Sequence, residues 1–289
     1  MSVHPYVSPA ATQNLRCHRN FPTAIRRAPA DEKQWLQSDR SSSGAGSQRS
    51  FVESLDAFPV GNIGEDALLD CSFQSSGADG KRADGVSVTW EKAGLSGVVF
   101  DFQNQAAQLK NQNPRFKDRA QLFLRAVAAG NASLLLRSVG LQDAGVYQCS
   151  VSAPSGQGSV SVHLRVAAYS SPRFSRSENT LRGEAQRWYP KPNVTWTDHD
   201  GHTLNGSTQF LNNSAGIFRL VTRLDPVQMD DTYICLIRNH LVTSISQATV
   251  TEKEITARTH FTFSPAPSLL PLHLVLTAPL HLWASCLLI

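Results

Sequence analysis

The stretch Asp143-Ala-Gly-Val-Tyr-Gln-Cys149 decides how this chain is read. On an extended strand Tyr147 and Cys149 share one face, and Gln148 and Ser150 take the other. Upstream, Ala67-Leu-Leu-Asp-Cys71-Ser-Phe73 alternates in the same way, with Leu69, Cys71 and Phe73 on one side. A polar, Gly-rich connection over residues 77–85 leads to a second alternating set, Val86, Val88 and Trp90. Gly97-Val-Val-Phe-Asp-Phe102 is a short and unusually apolar strand candidate, and Gln121-Leu-Phe-Leu124 and Ser133-Leu-Leu-Leu136 follow it after a polar stretch. Beyond Cys149, Gly156-Gln-Gly158 opens into Val160-Ser-Val162-His-Leu164, where glycine suits a bulge that starts a last strand. Short alternating strands with turn signals at these intervals predict an all-β sandwich over residues 52–166.

The ordered set Cys71, Trp90, Tyr147 and Cys149 resembles the variable-type immunoglobulin domain. That resemblance implies a Cys71–Cys149 bridge between two sheets, Trp90 packed over it, and a corner formed by the Tyr147 hydroxyl. Arg119 and Asp143 are expected to pair and close the bottom of the sandwich, since a merely exposed pair would contribute little.

A link over residues 167–176 is expected to lead into a second unit over 177–255. It opens with Thr180-Leu-Arg-Gly183, runs through Arg187-Trp-Tyr-Pro-Lys-Pro-Asn-Val-Thr-Trp196 and closes with Asp231-Thr-Tyr-Ile-Cys235. The Trp-Tyr-Pro-Lys-Pro run resembles constant-type immunoglobulin domains, which implies a core Trp196 and a second corner at Tyr233. The position 13 residues before Trp196, where the resemblance calls for the first cysteine, is Gly183. Cys235 is therefore read as unpaired. A bridge from 183 to 235 would contribute about 4 kcal/mol, a large share of a domain stability of roughly 5–15 kcal/mol.

Bulk properties bound the rest. A length of 289 residues suits about two domains. The net charge of +4 sits in residues 1–50, which hold seven Lys and Arg against three Asp and Glu, while the remainder balances at 20 and 20. No nucleic-acid face is implied by that balance. Residues 1–50 are polar and lack the apolar core of a secretory signal, so they read as a disordered arm or as a stretch standing where a true first exon was missed. The acceptor sequences at Asn131, Asn193, Asn205 and Asn212 suit a glycosylated, extracellular surface. Cys17 lies too far away in the arm to serve as a partner for Cys235. Residues 256–268 read as a stalk. Leu269 to Ile289 is mostly apolar and long enough to span a bilayer, as a transmembrane or a lipid-anchor signal segment. The expected location is the external face of the plasma membrane.

Several runs together resemble the B-seven family of immunoglobulin co-signalling ligands. They are Gly61-Asn-Ile-Gly-Glu-Asp66, Gly130-Asn-Ala-Ser-Leu134, Asp143-Ala-Gly-Val-Tyr147, Asn179-Thr-Leu-Arg182 and Glu184-Ala-Gln-Arg-Trp188-Tyr-Pro. The resemblance implies a type I cell-surface ligand, its variable domain distal and its constant domain proximal to the membrane. It further implies restraint of T-cell proliferation and cytokine output through a T-cell surface receptor; an adhesion or activating protein of the same architecture is the alternative. Recognition without chemistry is expected, with no cofactor, metal or small-molecule substrate. His199-Asp-Gly-His202 reads as a solvated loop. The expected partner-binding face carries Thr89, Glu91, Gln148 and Ser150, outward by alternation. Phe100 and Phe102 share one side of their strand and Asp101 takes the other. If exposed, the Phe pair is the natural anchor; if packed under the sheet edge, it is core.

Overall fold

In a computed structural model of the chain, residues 50–75 and 84–265 are described. The expected arm and the apolar segment over 269–289, with Cys17 and Cys286, lie outside them.

The first sandwich is built from strands β1 (Val52–Glu53), β2 (Val60–Asn62), β3 (Ala67–Leu69), β4 (Ser72–Phe73), β5 (Ser87–Lys92), β6 (Phe100–Gln103), β7 (Ala106–Ala107), β8 (Ala120–Leu122), β9 (Leu134–Leu136), β10 (Gly145–Ala153) and β11 (Gly156–Ala167). The front sheet runs β2-β11-β10-β5-β6-β7, the back sheet runs β3-β9-β8, and β1 pairs with β4. All named pairings are antiparallel except β11 with β2, where Arg165 lies opposite Val60. Alternation explains the parity. Val88 and Trp90 of β5 and Tyr147, Cys149 and Val151 of β10 are buried between the sheets. Their neighbours Glu91 and Gln148 are exposed. The strand expected to run to Leu124 stops at Leu122 and gives way to the short helix Leu124–Ala128.

The second sandwich uses β12 (Arg173–Ser177), β13 (Thr180–Trp188), β14 (Asn193–Thr197), β15 (Thr203–Leu204), β16 (Gly206–Asn212), β17 (Phe218–Leu224), β18 (Asp231–Arg238), β19 (Val242–Val250) and β20 (Ile255–Phe263). One sheet runs β12-β13-β17-β16 and the other β15-β14-β18-β19-β20. Two expectations are corrected here. Most of the supposed stalk is strand: β20 pairs along the whole of β19, from Val250 opposite Ile255 to Val242 opposite Phe263. An unpaired edge strand presents a row of free backbone groups, and Ile255, Thr256, Thr259, Phe261, Thr262 and Phe263 have the branched and aromatic side chains that suit pairing to it. Residues 167–176 are not a loose link either. Ala167 and Ala168 are buried, Ala168 bridges to Tyr189, and β12 begins the second sandwich at Arg173.

Candidate recognition face

The face rests on a rigid base. Cys71 and Cys149 are joined, with Cα atoms 6.5 Å apart. Register sets Cys149 beside Trp90, whose indole N–H donates to the Ala132 carbonyl at 2.9 Å. The Tyr147 hydroxyl donates to the Asp143 carbonyl at 2.8 Å. Burial, with the Asp143 charge adding to it, pushes that phenol well above its ordinary range. The Asp143 side chain is fully buried; its carboxylate accepts from the Arg119 guanidinium and from the Gly140 amide at 2.8 Å. Arg119 is itself held by the Arg137 carbonyl at 3.1 Å and the Arg115 carbonyl at 3.0 Å. A buried charge is costly unless paired and hydrogen-bonded, and here every side of the carboxylate is met. Lys92 donates to the Gln142 carbonyl at 2.8 Å. Burial first, then repulsion from Arg115, lowers its pKa, and Asp143 partly opposes them. The motif glycine has a local reason too. Gly145 adopts φ of 139°, and a Cβ there would meet Lys92 Cε at 3.1 Å.

Above this base the front sheet presents a polar surface. Register sets Ser150 beside Thr89 and Gln148 beside Glu91, then Asp101 beside Thr89 and Ser161 and Ser159 beside Gln148 and Ser150. The Thr89 hydroxyl donates to Asp101 Oδ1 at 3.2 Å, and the Gln148 amide donates to Ser159 Oγ at 3.3 Å. A shallow depression of about 280 Å³ lies between Glu91, Gly94, Leu95, Val146, Gln148 and Ser161. The four outward positions expected from alternation therefore lie together on one surface. Phe100 and Phe102 do not join them. They lie opposite Trp90 and Val88 and are only 6% and 1% exposed. Both belong to the core, because the inward parity of Trp90 carries across the register, and the anchor reading is corrected. Ser159 and Ser161, passed over in the sequence, face the same way, and alternation from Val160 and Val162 was the signal for them.

In the second sandwich Trp196 lies beside Cys235, and its indole N–H donates to Thr222 Oγ1 at 2.8 Å. The Tyr233 hydroxyl accepts from the Gln228 amide at 2.7 Å. Cys235 is a free and buried thiol, and burial pushes its pKa up to about 12. A Cβ on Gly183 would meet the Phe174 ring at 3.1 Å and Thr222 Cγ2 at 3.2 Å. Asn131, Asn193, Asn205 and Asn212 are all exposed. Half-buried Asp198 gathers exposed Asp200 and His202 at the Asp198–His202 turn, accepting from both backbone amides and pairing with the His202 ring.

A bridged variable-type sandwich followed by a constant-type sandwich defines a two-domain protein of the immunoglobulin superfamily. Residues 59–167 match the immunoglobulin V-set domain. Residues 170–246 match the butyrophilin subfamily 3 member A2-like Ig-C domain. Over 210 residues the chain is 36% identical to V-set domain-containing T-cell activation inhibitor 1 of Homo sapiens, covering 70% of this chain and 73% of that one. Its Rattus norvegicus counterpart is 32% identical over 221 residues, covering 73% and 77%. The crystal structure of the human B7-H4 IgV-like domain is 32% identical and covers 40% of this chain and 95% of that chain, with a TM-score of 0.36. The chain belongs to the V-set domain-containing T-cell activation inhibitor family, and it is an immunoglobulin-superfamily co-signalling ligand.

Proposed function

We propose that the chain is displayed on the outer face of the plasma membrane, where its variable domain engages a T-cell surface receptor and restrains T-cell activation, proliferation and cytokine output. The observation that carries this reading is kinship with relatives named as T-cell activation inhibitors, extending over both sandwiches. The attachment is assigned to the apolar sequence over residues 269–289, as a transmembrane or lipid-anchor signal segment. The binding surface is the front sheet around Thr89, Glu91, Gln148 and Ser150, with Asp101 and Ser161 added by the register. Its hydroxyls, amides and two carboxylates offer hydrogen bonds and charge without an aromatic anchor, so a short-lived complex is expected. Displaying the full chain on cells and counting T-cell divisions tests the function. Suppression supports it, whereas enhancement, or clustering of cells without suppression, overturns it in favour of an activating or adhesive role. The face is tested with Glu91→Arg. Surface display should be unchanged, because Glu91 is exposed, and T-cell binding should fall about tenfold by charge mismatch. Unaltered binding would move the receptor off this sheet.

A further inference from the structure

The second sandwich carries a segregated positive surface that the receptor reading does not use. In its four-stranded sheet Leu181, Gly183 and Ala185 of β13 and Leu220, Thr222 and Leu224 of β17 point inward. Arg182, Glu184, Arg219 and Arg223 therefore point outward. The register places Arg182 directly beside Arg223, flanked by Ser175 and Ser207. It places Arg173 beside Glu184. Glu184 is the one carboxylate at the outward positions of these strands. It accepts from Arg182 at 2.6 Å and from Arg219 Nε at 2.8 Å, and both contacts hold its pKa below the usual carboxylate range. Among the described residues Arg173 and Arg223 have no ion-pair partner. Arg223 instead lines an open hollow with Thr180, Asn205, Ser207 and Asp225.

Like charges placed directly opposite on neighbouring strands destabilise a sheet. Glu184 compensates Arg182, which leaves Arg223 beside it as the guanidinium that an external anion would stabilise. We propose that this face binds a sulfated polysaccharide of the cell surface. Guanidinium groups fit planar and tetrahedral oxyanions through paired N–H donors. The four arginines extend over about 13 Å along β17 and about 10 Å across the strands, the scale of a short stretch of a linear sugar chain. Leu211, on the edge strand, is the one large and strongly exposed apolar side chain on this face. That is too little for the apolar centre of a protein interface or for insertion into a lipid surface.

The test uses the full chain purified from mammalian cells, with and without enzymatic removal of its N-linked glycans because Asn205 lines the hollow beside Arg223, and immobilised heparin as the probe. The chain should be retained at physiological salt and released as salt rises, and it should ignore heparin stripped of its sulfates. The double variant Arg182→Gln, Arg223→Gln should bind about tenfold more weakly, with a thermal midpoint close to that of the parent, since relief of the like-charge contact offsets loss of the Arg182–Glu184 pair. Glu184→Gln, which frees two guanidinium groups, should hold heparin more tightly and so decides the matter if the double variant proves unstable. Failure to bind heparin overturns the proposal. So does unchanged retention of the double variant, which would assign binding to the basic residues of 1–50. A preference for phosphatidylserine vesicles over heparin also overturns it, in favour of a lipid surface. T-cell suppression by the double variant should equal that of the parent, so loss of heparin binding and failure of the receptor reading are separately visible.

Discussion

The two sandwiches repeat one plan, a core tryptophan and a corner tyrosine two residues before a buried cysteine, yet they are secured differently. In the first, Cys149 is bonded to Cys71. In the second, Cys235 is free, and the Phe174 ring stands against Gly183, where a side chain would otherwise begin. That ring meets Trp196 edge-on at 6.0 Å, so an aromatic pair fills the interior that the bridge and its tryptophan fill in the first domain. The corners differ as well. The Tyr147 hydroxyl donates to a carbonyl, whereas the Tyr233 hydroxyl accepts from an amide. Among the described residues each domain contains one buried polar atom without a hydrogen-bond partner, Ser54 Oγ in the first and the Trp188 indole N–H in the second, so the two do not differ in this respect. The lesson is that the strand pattern and the corner maintain the fold without the bridge, while the bridge sets how much stability is left over.

The largest effect should come from making the first domain resemble the second. Replacing both cysteines, Cys71→Ala with Cys149→Ala, releases a loop whose ends are 78 residues apart. Loop-closure reasoning puts the loss at about 4.5 kcal/mol. Denaturant unfolding of the full chain should show the first transition moving far down while the second is unmoved. A loss below about 1 kcal/mol would mean that packing around Trp90 and the Arg119–Asp143 pair, and not the bridge, sets the difference between the domains.

The reverse change is smaller. Gly183→Cys offers Cys235 a partner and about 4 kcal/mol of loop closure. The new Cβ falls 3.1 Å from Phe174 and 3.2 Å from Thr222, and overpacking of that kind costs about 1–3 kcal/mol. A net gain of about 2 kcal/mol is expected, read as a rise of the second transition that a reductant abolishes. A gain of the full 4 kcal/mol would show that Phe174 yields freely and is no substitute for the bridge.

What could be read from the sequence divides along the same line. Alternation around Cys71, Trp90 and Cys149 gives the parity of the front sheet, because one buried residue fixes the face of every second neighbour. It says that Phe100 and Phe102 share a face, but not which one; only their register against Trp90 and Val88 decides that. The role of Phe174 was hidden because it lies in a segment with the look of a link, and its contact with Gly183 is made across β12 and β13. β20 was missed for a similar reason. Its Thr, Ala and Arg residues carry little burial signal, and the strand exists because β19 leaves an edge to pair with. The arginine surface depends wholly on which positions of β13 and β17 stand side by side.

The smallest effect concerns the lone thiol itself. Burial raises Cys235 from 9.0 to about 12, so the folded chain keeps a proton that the unfolded chain gives up earlier. Below pH 9 both states hold it and the thiol adds no pH dependence. As pH climbs from 9 towards 12 the unfolded state binds fewer protons, and stability falls, by at most about 1.4 kcal/mol per pH unit from this one group. Tyr233, also raised by burial, adds to the slope at its upper end. Unfolding of the second domain measured between pH 8 and pH 11 should weaken with this sign, and Cys235→Ala should flatten the curve just above pH 9. At pH 8 the folded chain should leave a thiol-specific disulfide reagent unreacted at this position, with full reaction on unfolding. Rapid reaction of native Cys235, or an equally steep alkaline loss in Cys235→Ala, would show that the second core opens readily and that Phe174 does not seal it as the bridge seals the first.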